Sequence, residues 1–390
     1  MLYVGIDLHK KTISLCVVNK DRTVLDRQRF HCKKVQEIRA YFENLGEPFQ
    51  FVVEAMGTYE WLVQLLEPLA ESWVLAHPGQ MRVIAESTKK TDRVDAQILA
   101  EFLSLGMIPK AYRPTPRERE HRVLVRHRVS CQRRVSRLKC QIRHLAACYN
   151  ADRRDLFSAE CLDELRDRAD MTGADRFVLK QYLKEYDEAL KHLSVAKLEV
   201  KSFAKKGGES EQKSREIVRS APGVGEVVSE VVLAELGNVD RFDSIKEVTA
   251  YAGLVPSKRE SDGKGKELGI TKKGSRLLRW AMVEAAWQAI RSSTRWRGVY
   301  ESLKRRRGGK RAIVAVARRL LGVLGSMLRS GQKYRWSLPE LRYRESQAEQ
   351  RKEKRRLAQE AKAARKEPQV PSKSETNSTA KGRKKATVGV

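Results

Sequence analysis

No apolar run in this chain approaches the roughly 18 residues of a membrane span, and its first residues read as a strand instead of a signal peptide. Neither a membrane partner nor export is expected, which points to a cytoplasmic protein. Cys-x-x-Cys pairs are also missing. The six cysteines (Cys16, Cys32, Cys131, Cys140, Cys148, Cys161) read as reduced thiols, without a zinc site or a disulfide framework. Acidic residues are scarce beside basic ones: 49 Asp+Glu face 79 Lys+Arg, a formal net charge of +30. An excess this large points to nucleic acid as the partner. At 390 residues and 41% hydrophobic content, the chain can build two or three cored domains.

Residues 1–112 read as α/β. Leu2–Ile6, Thr12–Val18 and the stretch from Val24 to Phe30 form a predicted three-strand meander, with a turn at Asn19-Lys20-Asp21. Helical spacing from Val35 breaks at Gly46 and Pro48. A strand Phe49–Glu54, a helix around Tyr59–Leu69, a strand Trp73–Ala76 and a helix from Asp92 to Leu105 follow. This order matches the ribonuclease H-like arrangement, which sets one acid mid-sheet, one on the fourth strand and others on a later helix.

Residues 113–204 read as coiled coil. Glycine and proline are absent from Arg117 to Tyr149, while Leu124, Cys131, Leu138 and Leu145 recur every seven residues. A second seam runs through Leu179, Leu183, Tyr186, Leu190, Leu193 and Val200, so the two can fold back as a hairpin or pair between protomers. Twelve basic residues against two acidic ones between Lys110 and Arg143 suit either a solvated face or a phosphate-contacting one. Residues 205–332 read as a mostly helical globule. From 333 the chain is a charged tail, helical at first and largely disordered beyond.

Four carboxylates stand out. Asp7 and Glu54 end apolar strands, and Asp92 and Asp95 lie three apart on one helix face. An acid ending a buried strand is costly unless a cation offsets its desolvation, and magnesium fits in a protein built for a polyanion. Each acid alone can equally be a surface carboxylate, and Asp92 after Thr91 can simply cap its helix. Farther on, Ala221-Pro222-Gly223-Val224-Gly225 between two helical segments has the helix-hairpin-helix pattern, in which Gly223 and Gly225 free backbone N–H groups for a phosphate. An ordinary αα-turn reads the same way. The stretch Gly253-Leu254-Val255-Pro256 to Lys266 reads as a Gly- and Lys-rich loop carrying Ser261, followed by a helix with Arg276 and Arg279 on one face. Such a loop can set a phosphate beside a hydroxyl, although serine and glycine are also ordinary loop residues.

Val4-Gly5-Ile6-Asp7, Val53-Glu54-Ala55-Met56-Gly57-Thr58-Tyr59, Lys90-Thr91-Asp92-Arg93-Val94-Asp95-Ala96 and Gly253 to Arg279 together resemble the DEDD-type insertion-sequence transposases. These pair a RuvC-like domain with a serine-bearing transposase domain, and are described as bridge-RNA-guided recombinases. The resemblance covers roughly residues 1–330. It implies that Asp7, Glu54, Asp92 and Asp95 bind Mg2+, that Ser261 attacks a DNA phosphate, and that the protein acts as a homo-oligomer on element ends and target DNA with a structured guide RNA. Lys264, Lys266, Lys272, Lys273, Arg276 and Arg279 are then the nearest cations to the serine. The family often has Ser-Ser-Gly-Gly where this chain has Glu260-Ser261-Asp262-Gly263. That leaves one serine, flanked by two acids that repel phosphate, with Ser257 as the fallback nucleophile. A Holliday-junction endonuclease using only the four acids is the alternative activity, and a non-catalytic nucleic-acid scaffold is a third reading.

Overall fold

The structure is a computed structural model and describes residues 1–84, 92–261 and 264–364. The chain folds as two compact units, Met1–Val123 and from Leu124 onward.

The first unit is built on a five-stranded sheet of order β3-β2-β1-β4-β5, comprising β1 (Leu2–Leu8), β2 (Thr12–Val18), β3 (Val24–His31), β4 (Phe49–Glu54) and β5 (Ser72–Ala76). β1, β2 and β3 pair antiparallel, as the predicted meander requires, while β4 and β5 run parallel to β1. Helices α1 (Val35–Glu43) and α2 (Glu60–Leu66) cover one face, where Ile38, Phe42, Leu62 and Leu66 bury against Val4, Ile6, Leu15, Phe51 and Val53. The short α3 (Pro78–Ile84), which the periodicity does not anticipate, leads to α4 (Asp92–Ser104) on the opposite face. There Ala96, Leu99, Ala100 and Leu103 meet Cys16, Val18, Val52 and Ala76. Burial on both faces explains why β1 and β4 are nearly continuous apolar runs without strict alternation.

The second unit begins within α5 (Pro116–Cys148), a single 33-residue helix. After α6 (Ala159–Arg166), α7 (Gly173–Lys205) folds back on α5, so the heptads pair in cis through Val135, Leu138, Ile142, Leu179, Leu183 and Leu193. Thr172 caps α7 by accepting from Asp175 N–H, and Tyr149 Oη donates to Asp175, which closes the tip of the hairpin. Next come α8 (Glu209–Ser220), α9 (Glu226–Leu236) and α10 (Ile245–Tyr251). The segment expected to be a Gly- and Lys-rich loop is instead a two-stranded antiparallel ribbon, β6 (Pro256–Ser261) and β7 (Lys264–Ile270). Its sequence, rich in Lys, Arg, Glu and Gly, lacks the apolar alternation that marks a strand. Then α11 (Arg276–Ser292) and α12 (Thr294–Arg307) surround α13 (Gly309–Ser330), whose Val316, Ala317, Leu320 and Leu324 are fully buried.

This core continues past residue 332. Tyr334 is buried, and Trp336 Nε1 donates to the Ser220 carbonyl. The first part of the charged tail is a helix, α14 (Leu338–Ala364).

Candidate active site

Asp7 and Glu54 end up side by side because β1 and β4 are parallel neighbours. The register pairs Ile6 with Val53, so the two acids occupy the next rung at the same end of the sheet. Pleat alternation aims them at the face that carries Gly5 and Val52, not at the face that carries Ile6 and Val53. Gly5 identifies what lies there: a Cβ at this position would come 2.0 Å from the Ala96 carbonyl oxygen and 2.4 Å from the Ala100 nitrogen. Helix α4 therefore rests on that face at backbone distance. Asp95, half-buried, is the residue before Ala96 on this helix, and Asp92 opens it. The side chain of Asp92 lies outside the described residues.

Asp7 is only 15% exposed in its side chain, and its Oδ2 atom is sealed from solvent with His9 Nε2 at 3.0 Å. Sequence reasoning misses His9, since a lone histidine just past a strand carries no motif. Among the described residues, no group of three or more His, Cys, Asp or Glu is gathered closely enough to hold a metal ion. The donor types do suit a hard divalent cation: Asp7 and Glu54 share one sheet face, Asp7 with a buried oxygen, beneath the helix that carries Asp95.

The second unit holds the other predicted residues. Ser261 is the last residue of β6 and pairs with Lys264 across the ribbon. Asp262 and Gly263 lie outside the described residues, as do the side chains of Ser261, Lys264 and Lys266. The ribbon base is fixed by Thr271 N–H donating to Val255 and Lys272 N–H to Gly253. Lys272, at φ +54°, and Lys273 are exposed. Ser275 caps α11 by accepting from Leu278 N–H, leaving Arg276 exposed at the first turn. Arg279 instead turns inward and donates to the Ala252 carbonyl at 2.9 Å, tying α11 to the C-terminal end of α10.

Arg276 lines a cavity of about 600 Å³ with Arg126, Arg133, Glu235 and Tyr251. Glu235 is wholly buried and held by a two-pronged contact from Arg126 at 2.8 and 3.0 Å. That contact raises the pKa of Arg126 above the ordinary guanidinium value. An isolated Glu in an apolar helix gives no hint of this pairing, because its partner lies 109 residues away.

Helices α8 and α9 flank the turn from Ala221 to Gly225. Gly223, at φ +78°, faces α11, and a Cβ there would fall 2.3 Å from the Ala285 carbonyl. The glycine at 223 is thus required by close packing. Gly225 is exposed at the N-cap of α9, where no side chain serves as cap.

Comparisons with known proteins place this architecture. The Transposase IS116/IS110/IS902 family model matches residues 215–301, and the IS110-type DEDD transposase model matches residues 4–150. Together they cover well over half of the chain, the DEDD model spanning the sheet unit into α5 and the other lying in the helical unit. The chain belongs to the IS110-family DEDD transposases. It is accordingly a DNA transposase or recombinase, from a family that depends on divalent metal. The transposase for insertion sequence element IS1111A of Coxiella burnetii is 24% identical over 341 residues, covering 85% of this chain and 91% of that protein. A probable family 20 transposase of Pseudomonas aeruginosa is 24% identical over 85% of this chain and 98% of its own length. The pilin gene-inverting protein of Moraxella bovis is 23% identical over 85% and 97%. In this transposase no described helix is long and apolar enough to cross a membrane.

Proposed function

We propose that this transposase cuts and rejoins insertion-sequence DNA with divalent ions held by Asp7, Glu54, Asp92 and Asp95 and with Ser261 as the nucleophile. The observation that carries the reading is the adjacent placement of Asp7 and Glu54 under the helix that bears Asp95. The meander followed by parallel strands supports a ribonuclease H/RuvC-like assignment for the first unit. Magnesium suits this all-oxygen donor set, and when bound it supplies Lewis-acid stabilisation of charge on a phosphate.

At Ser261 the hydroxyl oxygen bonds to phosphorus while the bond from phosphorus to a sugar oxygen breaks, and that oxygen leaves with the proton. Attack by a second strand's hydroxyl reverses the exchange and releases the serine. Glu260 and Asp262 oppose the approach of phosphate, so Lys264, Lys266, Lys272, Lys273 and Arg276 serve to draw the backbone in. Arg279 contributes by tying α11 to the end of α10, from which the chain enters the ribbon. Gly225, at the open start of α9, supports a helix-hairpin-helix contact to a phosphate. The excess of basic residues and the family resemblance support a structured RNA that reads sequence by pairing with both DNA partners. Phe177, Val195 and Leu198, exposed on α7, support self-association through its outer face.

Two variants test the catalytic reading. Ser261→Ala should abolish a denaturation-resistant protein–DNA adduct while leaving nucleic-acid affinity intact. Asp7→Asn should reduce strand breakage by about a hundredfold or more, since it removes part of several kcal/mol of charge stabilisation. Full cleavage by Ser261→Ala would instead favour a junction endonuclease that uses the acids alone.

A further inference from the structure

We infer that the outward face of α11 is a stacking track for unpaired bases of single-stranded DNA. The two most exposed tryptophans of the described residues, Trp280 (38%) and Trp287 (36%), lie two turns apart on this helix. At helical rise they are about 10 Å apart, or about three base steps of roughly 3.4 Å. Arg276 stands one turn before Trp280, and Arg291 one turn after Trp287. Both are exposed, and neither makes an ion pair among the described residues. The stripe therefore reads cation, ring, ring, cation with the exposed Glu284 between the two rings, so the cations at its ends take the phosphate backbone while the aromatic faces take the bases.

The ring of Trp287 is held edge-on by Tyr300 at 5.7 Å, so it is presented in a fixed orientation. A duplex cannot use these rings, because its bases already stack on each other. A second copy of the chain fits poorly: antiparallel pairing of two such faces sets Arg276 against Arg291, a like-charge contact. The track starts six residues after the end of β7, the strand paired with that of Ser261, where a strand opened for transfer is unpaired.

This inference rests on the reading of the chain as an enzyme of DNA. It is tested by binding alone, with divalent ions chelated, so its failure is distinct from failure of the acids or of Ser261. Full-length protein is titrated with labelled oligothymidylate, with a blunt duplex and with oligouridylate. Trp280→Ala and Trp287→Ala should each weaken oligothymidylate binding roughly tenfold, with duplex binding unchanged. The Trp280→Phe/Trp287→Phe protein should keep most of the affinity but lose the quenching of tryptophan emission by oligothymidylate, which guards against loss of fold. Equal losses on duplex and single strand would overturn the inference. So would preference for oligouridylate, or unchanged oligothymidylate affinity accompanied by weaker self-association.

Discussion

Gly5 occupies a position that no other residue can fill without moving an element. A methyl group there would stand within 2.4 Å of backbone atoms of both Ala96 and Ala100, so Gly5→Ala must lift α4 from the sheet. We expect a cost of about 1–3 kcal/mol or more, read as a lower midpoint in thermal unfolding, together with a loss of cleavage larger than stability alone explains. Glu340 is a second single-residue case. Its burial by itself raises the pKa, but hydrogen bonds from Ser293 and Ser337 outweigh this and hold it below the ordinary glutamate value. A carboxyl lowered in the folded state contributes stability above its unfolded pKa, and that contribution is lost as pH falls through the folded one. Ser293→Ala should cost about 1–3 kcal/mol and make acid loosening of the start of α14 begin at a higher pH, followed by circular dichroism.

Among elements, the α8–α9 hairpin is joined by a buried ionic cluster. Arg215 and Glu230, each nearly inaccessible, meet at 3.2 Å, and Arg219 and Glu211 complete the set. Removing one partner strands the other: Arg215→Ala should destabilise the second unit by about 3–5 kcal/mol in denaturant unfolding, whereas replacing Arg215 and Glu230 together by methionine should cost far less. The elements also differ in how readable they were. β1, β2, β4 and α4 carry apolar patterns strong enough to locate them within a residue or two. The β6–β7 ribbon carries none: its residues are mostly charged or glycine, so no apolar alternation marks the strands that the backbone pairing forms. The heptads of α5 and α7 specified two helices but not their partner, since one seam packs equally well in cis and in trans.

For the whole molecule the dominant quantity is charge. With a formal net charge of +30, affinity for DNA or RNA should fall steeply and log-linearly with salt, and a flat response in a binding titration would remove the basic surface as the binding site. The serine and the acids come from different units, so each can be inactivated without unfolding the other. Variants in one unit should leave the thermal transition of the other in place.

Local pattern alone was enough to determine the α/β character of the first unit, the acids at its strand ends, the long helices and the excess of basic charge. These follow from periodicity, strand-end position and charge count, all of which are properties of neighbours in the chain. Tertiary structure alone decided that Asp7 and Glu54 share a rung, that His9 sits on Asp7, that Glu235 meets Arg126, and that two tryptophans stay in solvent. Each of these depends on a register or a packing contact between distant segments, and no local window of sequence encodes which face of an element will be covered.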